Sequence, residues 1–383
     1  MPSVAKLRPR DIAWRRLANQ HLIGAPFASP VEVVRRLGAV QSQDYPGGKW
    51  GISMRTPGAT DADVERDLTA GAIVRTHVLR PTWHFVAAED IRWMLALTAP
   101  RVRRIMASYD RQLGLDEKVF ARSARALTKA LSGGKQLTRS EIRNVLQRVK
   151  IDTRPPRLGH LMMHAELDGL VCSGAMRGKQ ATYALLEERL TPAPALERDE
   201  ALGELARRYF PTRGPATVHD FGWWSGLTIG DAKRGVELIQ SILEHHVVDG
   251  RTYWFTGAPP SKPRTLVAHL LPNYDEYFIG LKDRSAIGEL VRSAANVPAD
   301  AFSAHVVAVD GQLVGGWKRT MTGRTVTVQM RLVVEVTSRQ MRSIEVQVKR
   351  YGQFLGVSVD LVLANDGIRS TARLRFLEPS FRV

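Results

Sequence analysis

Apolar residues recur along this chain at two spacings, and the change from one to the other divides it. Up to about residue 257 the three-and-four spacing of amphipathic helices dominates, broken by short apolar runs; beyond it alternation takes over. A first helix is expected over residues 10–22, with Ile12, Trp14 and Leu17 turned inward. A second begins after Ser29, a good N-cap, with Pro30 at the first helical position and Val33, Val34, Leu37 and Val40 as its apolar stripe. A third covers 61–74, capped by Thr60 or Asp61, with Val64, Leu68 and Ile73 as its stripe. Residues 74–86 read as two short strands around a turn at Pro81.

That order recurs. Thr138 caps a helix over 140–149, a second spans 158–170, and strands at 171–174 and 181–186 flank a basic glycine turn, Arg177-Gly178-Lys179. Thr217 and Thr228 cap helices over 218–225 and 229–243, and 247–255 is a hairpin with an Asp249-Gly250 turn. Three helix–helix–hairpin units in succession match tandem winged helices, a variant of the helix-turn-helix. A helical linker with an apolar face of Ile91, Met94, Leu95 and Leu97 fills 87–131, and a Pro-rich break at 191–194 precedes a helix over 196–209. A linker at 257–263 opens the alternating region. There 305–317 is a hairpin turning at Asp310-Gly311, 325–336 a long half-exposed strand, 338–355 a helix with Met341, Ile344, Val348 and Tyr351 on one side, and 357–362 and 370–376 closing strands. The expected fold is α+β: a first winged-helix unit with its basic linker (1–136), a second (137–195), a third (196–262) and a C-terminal β-barrel-like domain (263–383).

Composition narrows the function. With 383 residues and 44% hydrophobic content the chain is large enough for several packed cores. It has no apolar run long enough for a membrane span and no apolar signal core after the first ten residues, so a cytoplasmic protein is expected. The single cysteine, Cys172, excludes an internal disulfide and is expected to be a small buried hydrophobe. Net charge is +17, which points to a polyanionic partner. Residues 101–160 hold 15 Lys/Arg against 5 Asp/Glu. An arginine-rich genome accounts for Arg in place of Lys but not for this local excess. Arg101, Arg103, Arg104, Arg139, Arg143 and Arg157, with Arg177 and Lys179 of the basic turn, are the expected phosphate contacts.

The chemistry is expected at Gln41-Ser42-Gln43, where the second helix is expected to end and Tyr45-Pro46-Gly47-Gly48 to break it. Positions i and i+2 of a helix do not share a face, so two amides converge on one small object only where the helix stops. The alternative is a polar helix terminus whose glutamines meet solvent or cap carbonyls. Other motifs carry less. Residues 173–180 imitate a phosphate-binding loop, but the leading glycine is missing and Gln180 stands where a magnesium-holding hydroxyl belongs. His245-His246 lacks a third ligand, and His160 and His164, with Glu166 nearby, do not follow the zinc-protease order; core packing or phosphate contact is expected of the latter pair. Trp223-Trp224 offers either a wedge for a base stack or a core tryptophan. No metal and no cofactor is expected.

Gln41-Ser42-Gln43-Asp44, then Leu79-Arg80-Pro81-Thr82-Trp83-His84, then Leu271-Pro272-Asn273-Tyr274-Asp275-Glu276-Tyr277-Phe278-Ile279-Gly280-Leu281-Lys282-Asp283-Arg284, then Gly316-Trp317-Lys318-Arg319 occur in this order. Together they resemble the winged-helix DNA glycosylase family of the azinomycin-resistance and crosslink-unhooking type, over nearly the whole chain. The resemblance implies three winged helices and a C-terminal β-domain forming a C-shaped clamp on double-stranded DNA. It also implies hydrolysis of the N-glycosidic bond of N7-alkylated purines by a Gln, a generally apolar residue, then Gln or Asp. Here these are Gln41 and Gln43 around Ser42, a polar departure. Gln43 rather than Asp resembles the narrower azinomycin-type branch. Thr82 and His84 are expected to support the glutamines, with ordinary strand residues as the alternative, and Asp275 and Arg284 to hold the C-terminal domain together. The protein is expected to act as a monomer. Two other readings stay open: a non-enzymatic DNA-binding regulator or damage-sequestering resistance protein, and a protein-interaction scaffold.

Overall fold

The structure, a computed structural model, describes residues 8–257, 266–294, 297–298, 302, 305–364 and the backbone of 373–376. Helix α1 (Pro9–Asn19) is followed by α2 (Pro30–Leu37), β1 (Val40–Gln41), α3 (Tyr45–Ser53), α4 (Asp61–Ala70), β2 (Ile73–His77) and β3 (Trp83–Ala87). Local chemistry accounts for most of these bounds. Ser29 accepts the Glu32 N–H to start α2, and a Thr60–Asp63 capping box starts α4, which stops at left-handed Gly71.

Two expectations fail here. The second helix does not reach the glutamines: it ends at Gly38, φ 77°, and Val40 and Gln41 pair with Phe85 and His84 in a sheet ordered β1-β3-β2. Residues 45–48 begin a helix instead of breaking one, with Pro46 in its first turn, where no intrahelical N–H bond is lost. The glycines of α3 serve close approach. A Cβ on Gly47 would lie 2.3 Å from the Asp44 carboxylate, and one on Gly48 2.9 Å from the Phe85 ring.

After α5 (Ile91–Gln112), the order repeats as α6 (Glu117–Leu131), β4 (Leu137–Thr138), α7 (Arg139–Arg148), α8 (Arg157–Leu167), β5 (Val171–Ser173) and β6 (Thr182–Leu185), with sheet order β4-β6-β5. After α9 (Leu186–Arg189) it repeats again as α10 (Arg198–Arg213), α11 (Val218–Ser225), α12 (Ile229–Leu238), β7 (Glu244–Val248) and β8 (Arg251–Phe255), where the single bridge Ala216–Trp254 stands in for the short first strand. Leu127 and Leu131 of α6 share a core with Ile142, Leu146, Leu161 and Val171, so the boundary expected at 136 falls inside that core. The first unit's core is built from Val33, Val34, Leu37, Ile52, Val64, Leu68, Ile73 and Phe85. Helix α1 is not part of it; Ala13, Trp14 and Leu17 pack with the C-terminal strands.

Those strands are β9 (Ala268–Leu271), then, after α13 (Glu276–Ile279) and α14 (Glu289–Arg292), β10 (His305–Val309), β11 (Gln312–Thr322) and β12 (Thr325–Leu332). Helix α15 (Ser338–Leu355) crosses over to β13 (Ser358–Leu363), parallel to β12, and β14 (Arg373–Phe376) follows. The order β14-β13-β12-β11-β10-β9 leaves β9 and β14 at its two ends, so the described strands pair as an open sheet with no barrel closure. Ile344, Val348 and Tyr351 of α15 lie buried in the core of this sheet. The expected linker beyond Gly257 and residues 370–372 of the last expected strand lie outside the described residues. The first unit and the C-terminal sheet are fastened together. Trp50 Nε1 donates to the Leu270 carbonyl at 2.7 Å, and Arg55 holds Asp275 through two 3.0 Å bonds, both partners fully buried. Among the described residues no helix is long and apolar enough to cross a membrane.

Candidate active site

The β1 ladder extends one residue past Gln41, because Ser42 N donates to the Trp83 carbonyl at 2.8 Å. Side chains alternate along an extended run, so Ser42 faces the opposite side from Gln41. Ser42 is fully buried and its Oγ has no partner, which explains why an apolar residue suits this middle position. Both glutamines rest on the start of β3. Gln41 is paired with His84 in register, and Gln43, exposed, takes a long 3.4 Å bond from Trp83 N on its Oε1. Gln41 is 5% exposed, but its surroundings are polar: Arg80 Nη2 donates to its Oε1 at 2.9 Å. Arg75, lying over the Tyr45 and Trp83 rings, holds the Ser42 carbonyl with Nε and Nη2.

The backbone of this stretch is fixed from behind. Gln41 N donates to Glu276 Oε1 at 2.9 Å, and Glu276 Oε2 accepts from Arg213 Nη2 at 2.6 Å and Trp224 Nε1 at 2.9 Å. Arg213 spends its remaining donors on the carbonyls of Leu37 and Ala39 and on Thr212 Oγ1. A fully buried ion pair is costly to form, but here each oxygen and nitrogen finds a partner, so the pair specifies one loop geometry. Asp44, next to Gln43, is held by Arg319 Nη2 at 2.8 and 3.1 Å. Both carboxylates beside the glutamines are therefore committed. Asp275 ties the C-terminal domain to the first unit, while Arg284 stays local, donating to the Phe278 carbonyl and lying over that ring.

His84 is fully buried. Its Nδ1 lies 3.0 Å from the Thr82 carbonyl, which can only accept, so Nδ1 carries the proton and Nε2 presents a lone pair without a partner. Burial, and then the Arg80 charge, push its pKa well below the usual 6.5, so the ring is neutral. Thr82 Oγ1, Thr76 Oγ1 and Arg80 Nε are also buried and unpartnered, and Thr76 faces His84 across the β2–β3 ladder. Buried polar atoms of this kind call for a partner, which water or a ligand atom can supply. Of the sequence candidates, the fold thus brings Gln41, Gln43, Thr82 and His84 to one strand pair. Sequence reasoning missed Arg75, Arg80, Arg213 and Glu276 as participants, although Arg80 and Glu276 lie inside the quoted motifs.

The basic residues divide. Arg103 pairs with Asp168, Arg157 with Asp152, and Arg177 with Glu141 at 2.8 Å. Arg104, Arg143 and Lys179 are exposed and show no ion pair among the described residues; Arg139 is exposed beside Tyr183, and Arg101 is half-buried with Nε unpartnered. The third helix of each unit is ill suited to a DNA groove: α4 carries Asp61, Asp63, Glu65 and Asp67 against Arg66, α8 is largely buried, and α12 pairs its Arg234 with Asp199. His160 and His164 both contact Asp110 at 2.8 Å, and His245 and His246 lie against Trp254 and Phe255. Cys172 is buried, which pushes its thiol pKa up to about 12. Trp224 is a core residue, whereas Trp223 is 42% exposed and lies beside Arg80. Among the described residues no three His, Cys, Asp or Glu side chains are grouped to hold a metal ion.

Charge, fold and the order of the motifs place the chain among the DNA glycosylases. It belongs to the family described as DNA glycosylase AlkZ-like, which matches residues 34–354. It is similar to the interstrand DNA cross-link repair glycosylase of Streptomyces sahachiroi, with 27% identity over 331 residues, covering 80% of this chain and 86% of that protein. The solved structure of the S. sahachiroi DNA glycosylase AlkZ superposes with a TM-score of 0.70 at 21% identity, over 92% of this chain and 99% of that one, a likeness of fold.

Proposed function

We propose that this protein hydrolyses the N-glycosidic bond of N7-alkylated purines in double-stranded DNA, bulky adducts and interstrand crosslinks included, with Gln41 and Gln43 positioning the attacking water. The observation that carries this reading is the commitment of both neighbouring carboxylates: Glu276 to Arg213 and Asp44 to Arg319, which leaves neutral amides as the acceptors at the head of β3. Glutamine accepts a water hydrogen bond but takes no proton, so it cannot supply the roughly 10²–10⁴-fold of general base catalysis. Such a site suits a leaving group that is already activated. A purine alkylated at N7 carries a positive charge and departs without a general acid, and what remains is to place the water and to face the sugar cation with amide oxygens. Neutral His84 of β3, and Thr82 just before that strand, then support Gln41.

In this reading the three repeated units are winged helices, and with the C-terminal β-rich domain they form a C-shaped clamp that works as a monomer. The acidic α4 and buried α8 favour a DNA path that avoids the usual recognition helices, with Arg101, Arg104, Arg139, Arg143 and Lys179 on phosphates and Arg103, Arg157 and Arg177 contributing less because they are already paired. A crosslinked purine cannot be extruded freely, so the sugar is approached with the base still stacked. The similarity to a protein named for crosslink repair supports this substrate class. Base release from duplexes carrying N7-methylguanine or an interstrand crosslink tests the proposal. Gln41→Ala and Gln43→Ala should each slow release by about 10²–10³-fold with folding unchanged; release at the wild-type rate in both variants would refute the assignment.

A further inference from the structure

We infer that Arg80 and Trp223 form the seat for the phosphodiester beside the damaged nucleotide, and that Arg80, once charge-paired there, fixes the amide of Gln41; this rests on the glycosylase reading above. Arg80 stands in the β2–β3 turn, whose backbone is unusual. Leu79 adopts φ 63°, a left-handed conformation that branched apolar residues rarely take. It is held there: its N–H donates to Thr98 Oγ1 at 3.1 Å, and its carbonyl is so close to α11 that a Cβ on Gly226 would lie 2.1 Å from it. Arg80 N donates to the Val78 carbonyl and Thr82 N to the Arg80 carbonyl, both at 2.7 Å. Strained backbone of this kind persists where the surroundings over-determine it, and it clusters at functional sites. Here its effect is to aim one guanidinium at the glutamine.

That guanidinium has more donors than partners. Nη2 donates to Gln41 Oε1 at 2.9 Å and Nε is buried without a partner. Among the described residues no carboxylate lies within ion-pair distance of Arg80, and the oxygens of Glu276 already serve Gln41, Arg213 and Trp224. Arg213 and Arg284 add like charge around Arg80, while Glu276, the carboxylate that offsets it, is already paired with Arg213. An anion relieves that imbalance, and a planar fork can bind phosphate oxygens and the amide oxygen together. Trp223 completes the seat. Its ring lies 5.7 Å from the Arg80 guanidinium, it is 42% exposed, and its Nε1 is committed to the Ile279 carbonyl at 3.2 Å, so its free surface is the apolar ring that suits a deoxyribose or a base.

The chemistry requires such an arrangement. A bare guanidinium beside a forming sugar cation would oppose the reaction, and a phosphate cancels that charge. Because arginine only donates, the Gln41 carbonyl must face Arg80 and the amide NH₂ must point away, which leaves the second lone pair of Oε1 for a water hydrogen. The test measures binding of a 20-base-pair duplex containing one N7-methylguanine between 50 and 200 mM salt, together with single-turnover base release. Arg80→Met should reduce the slope of log K against log salt by about 0.9 and slow release by about 100-fold. Arg80→Lys should restore the slope but not the rate, since an ammonium lacks the fork. Trp223→Ala, at an exposed position, should weaken binding with the slope unchanged. A wild-type slope in Arg80→Met, or wild-type affinity in Trp223→Ala, overturns the seat. Wild-type protein that releases no base while Arg80→Met still loses slope would remove the glycosylase reading and leave the seat standing; release with an unchanged slope would do the reverse.

Discussion

Gln41 carries no charge at any working pH, and His84, its partner across the strand pair, carries none either, because burial and Arg80 hold its pKa well below 6.5. A depressed imidazole pKa means the ring gains its proton only at pH values below the ordinary range. Nothing in the proposed water-positioning pair then titrates between about pH 6.5 and 8.5. The single-turnover rate of base release should be flat across that window, and a limb with a midpoint near 6.5 would show that a histidine acts as the base. The two glutamines stand out in the sequence, but the helix expected to run up to them stops at Gly38. What could not be read was their strand environment: residues two apart lie on different faces of a helix, whereas an extended backbone brings them to one side without any helix end.

Helix α3 shows why punctuation residues mislead at the level of elements. Pro46, Gly47 and Gly48 read as a helix breaker, yet they open a helix pressed flat against its neighbours. A Cβ on Gly48 would sit 2.9 Å from the Phe85 ring and 3.3 Å from the Gln41 carbonyl. Gly48→Ala should therefore destabilise the protein by about 1–3 kcal/mol in urea unfolding and slow base release, because the strand that carries Gln41 must move. Gly230→Ala in α12, where a Cβ would meet only Thr228 Oγ1 at 3.7 Å, is the matched control and should stabilise by about 0.4–1 kcal/mol. Glycine for a bend and glycine for close approach look identical in sequence; the difference is made by Phe85 and by Pro272, which lies 3.2 Å from the would-be Cβ of Gly47.

Across the whole molecule, the C-terminal sheet is joined to the first unit, which carries the two glutamines. Arg55 and Asp275 form a doubly bonded pair, each 1% exposed, 220 residues apart in sequence. Asp275→Ala leaves the guanidinium buried and unpaired and should cost about 3–5 kcal/mol, measured as a lowered urea midpoint. Asp275→Asn, which keeps a hydrogen-bond acceptor, should cost less. The same coupling explains α1, which opens the chain but packs among C-terminal strands, a placement that its own periodicity cannot specify.

Helix periodicity, caps and turns act within about four residues, so the three repeated units and the β-rich C-terminal part were readable from the chain alone. The order of the short motifs added the family. Partner choice is different in kind. Whether Arg177 faces a phosphate or Glu141, whether Glu276 serves as a base or a backbone clamp, and what Arg80 points at depend on groups tens to hundreds of residues away. Only the packed chain brings those charges within a few ångströms, and burial then decides which of them remain free to act.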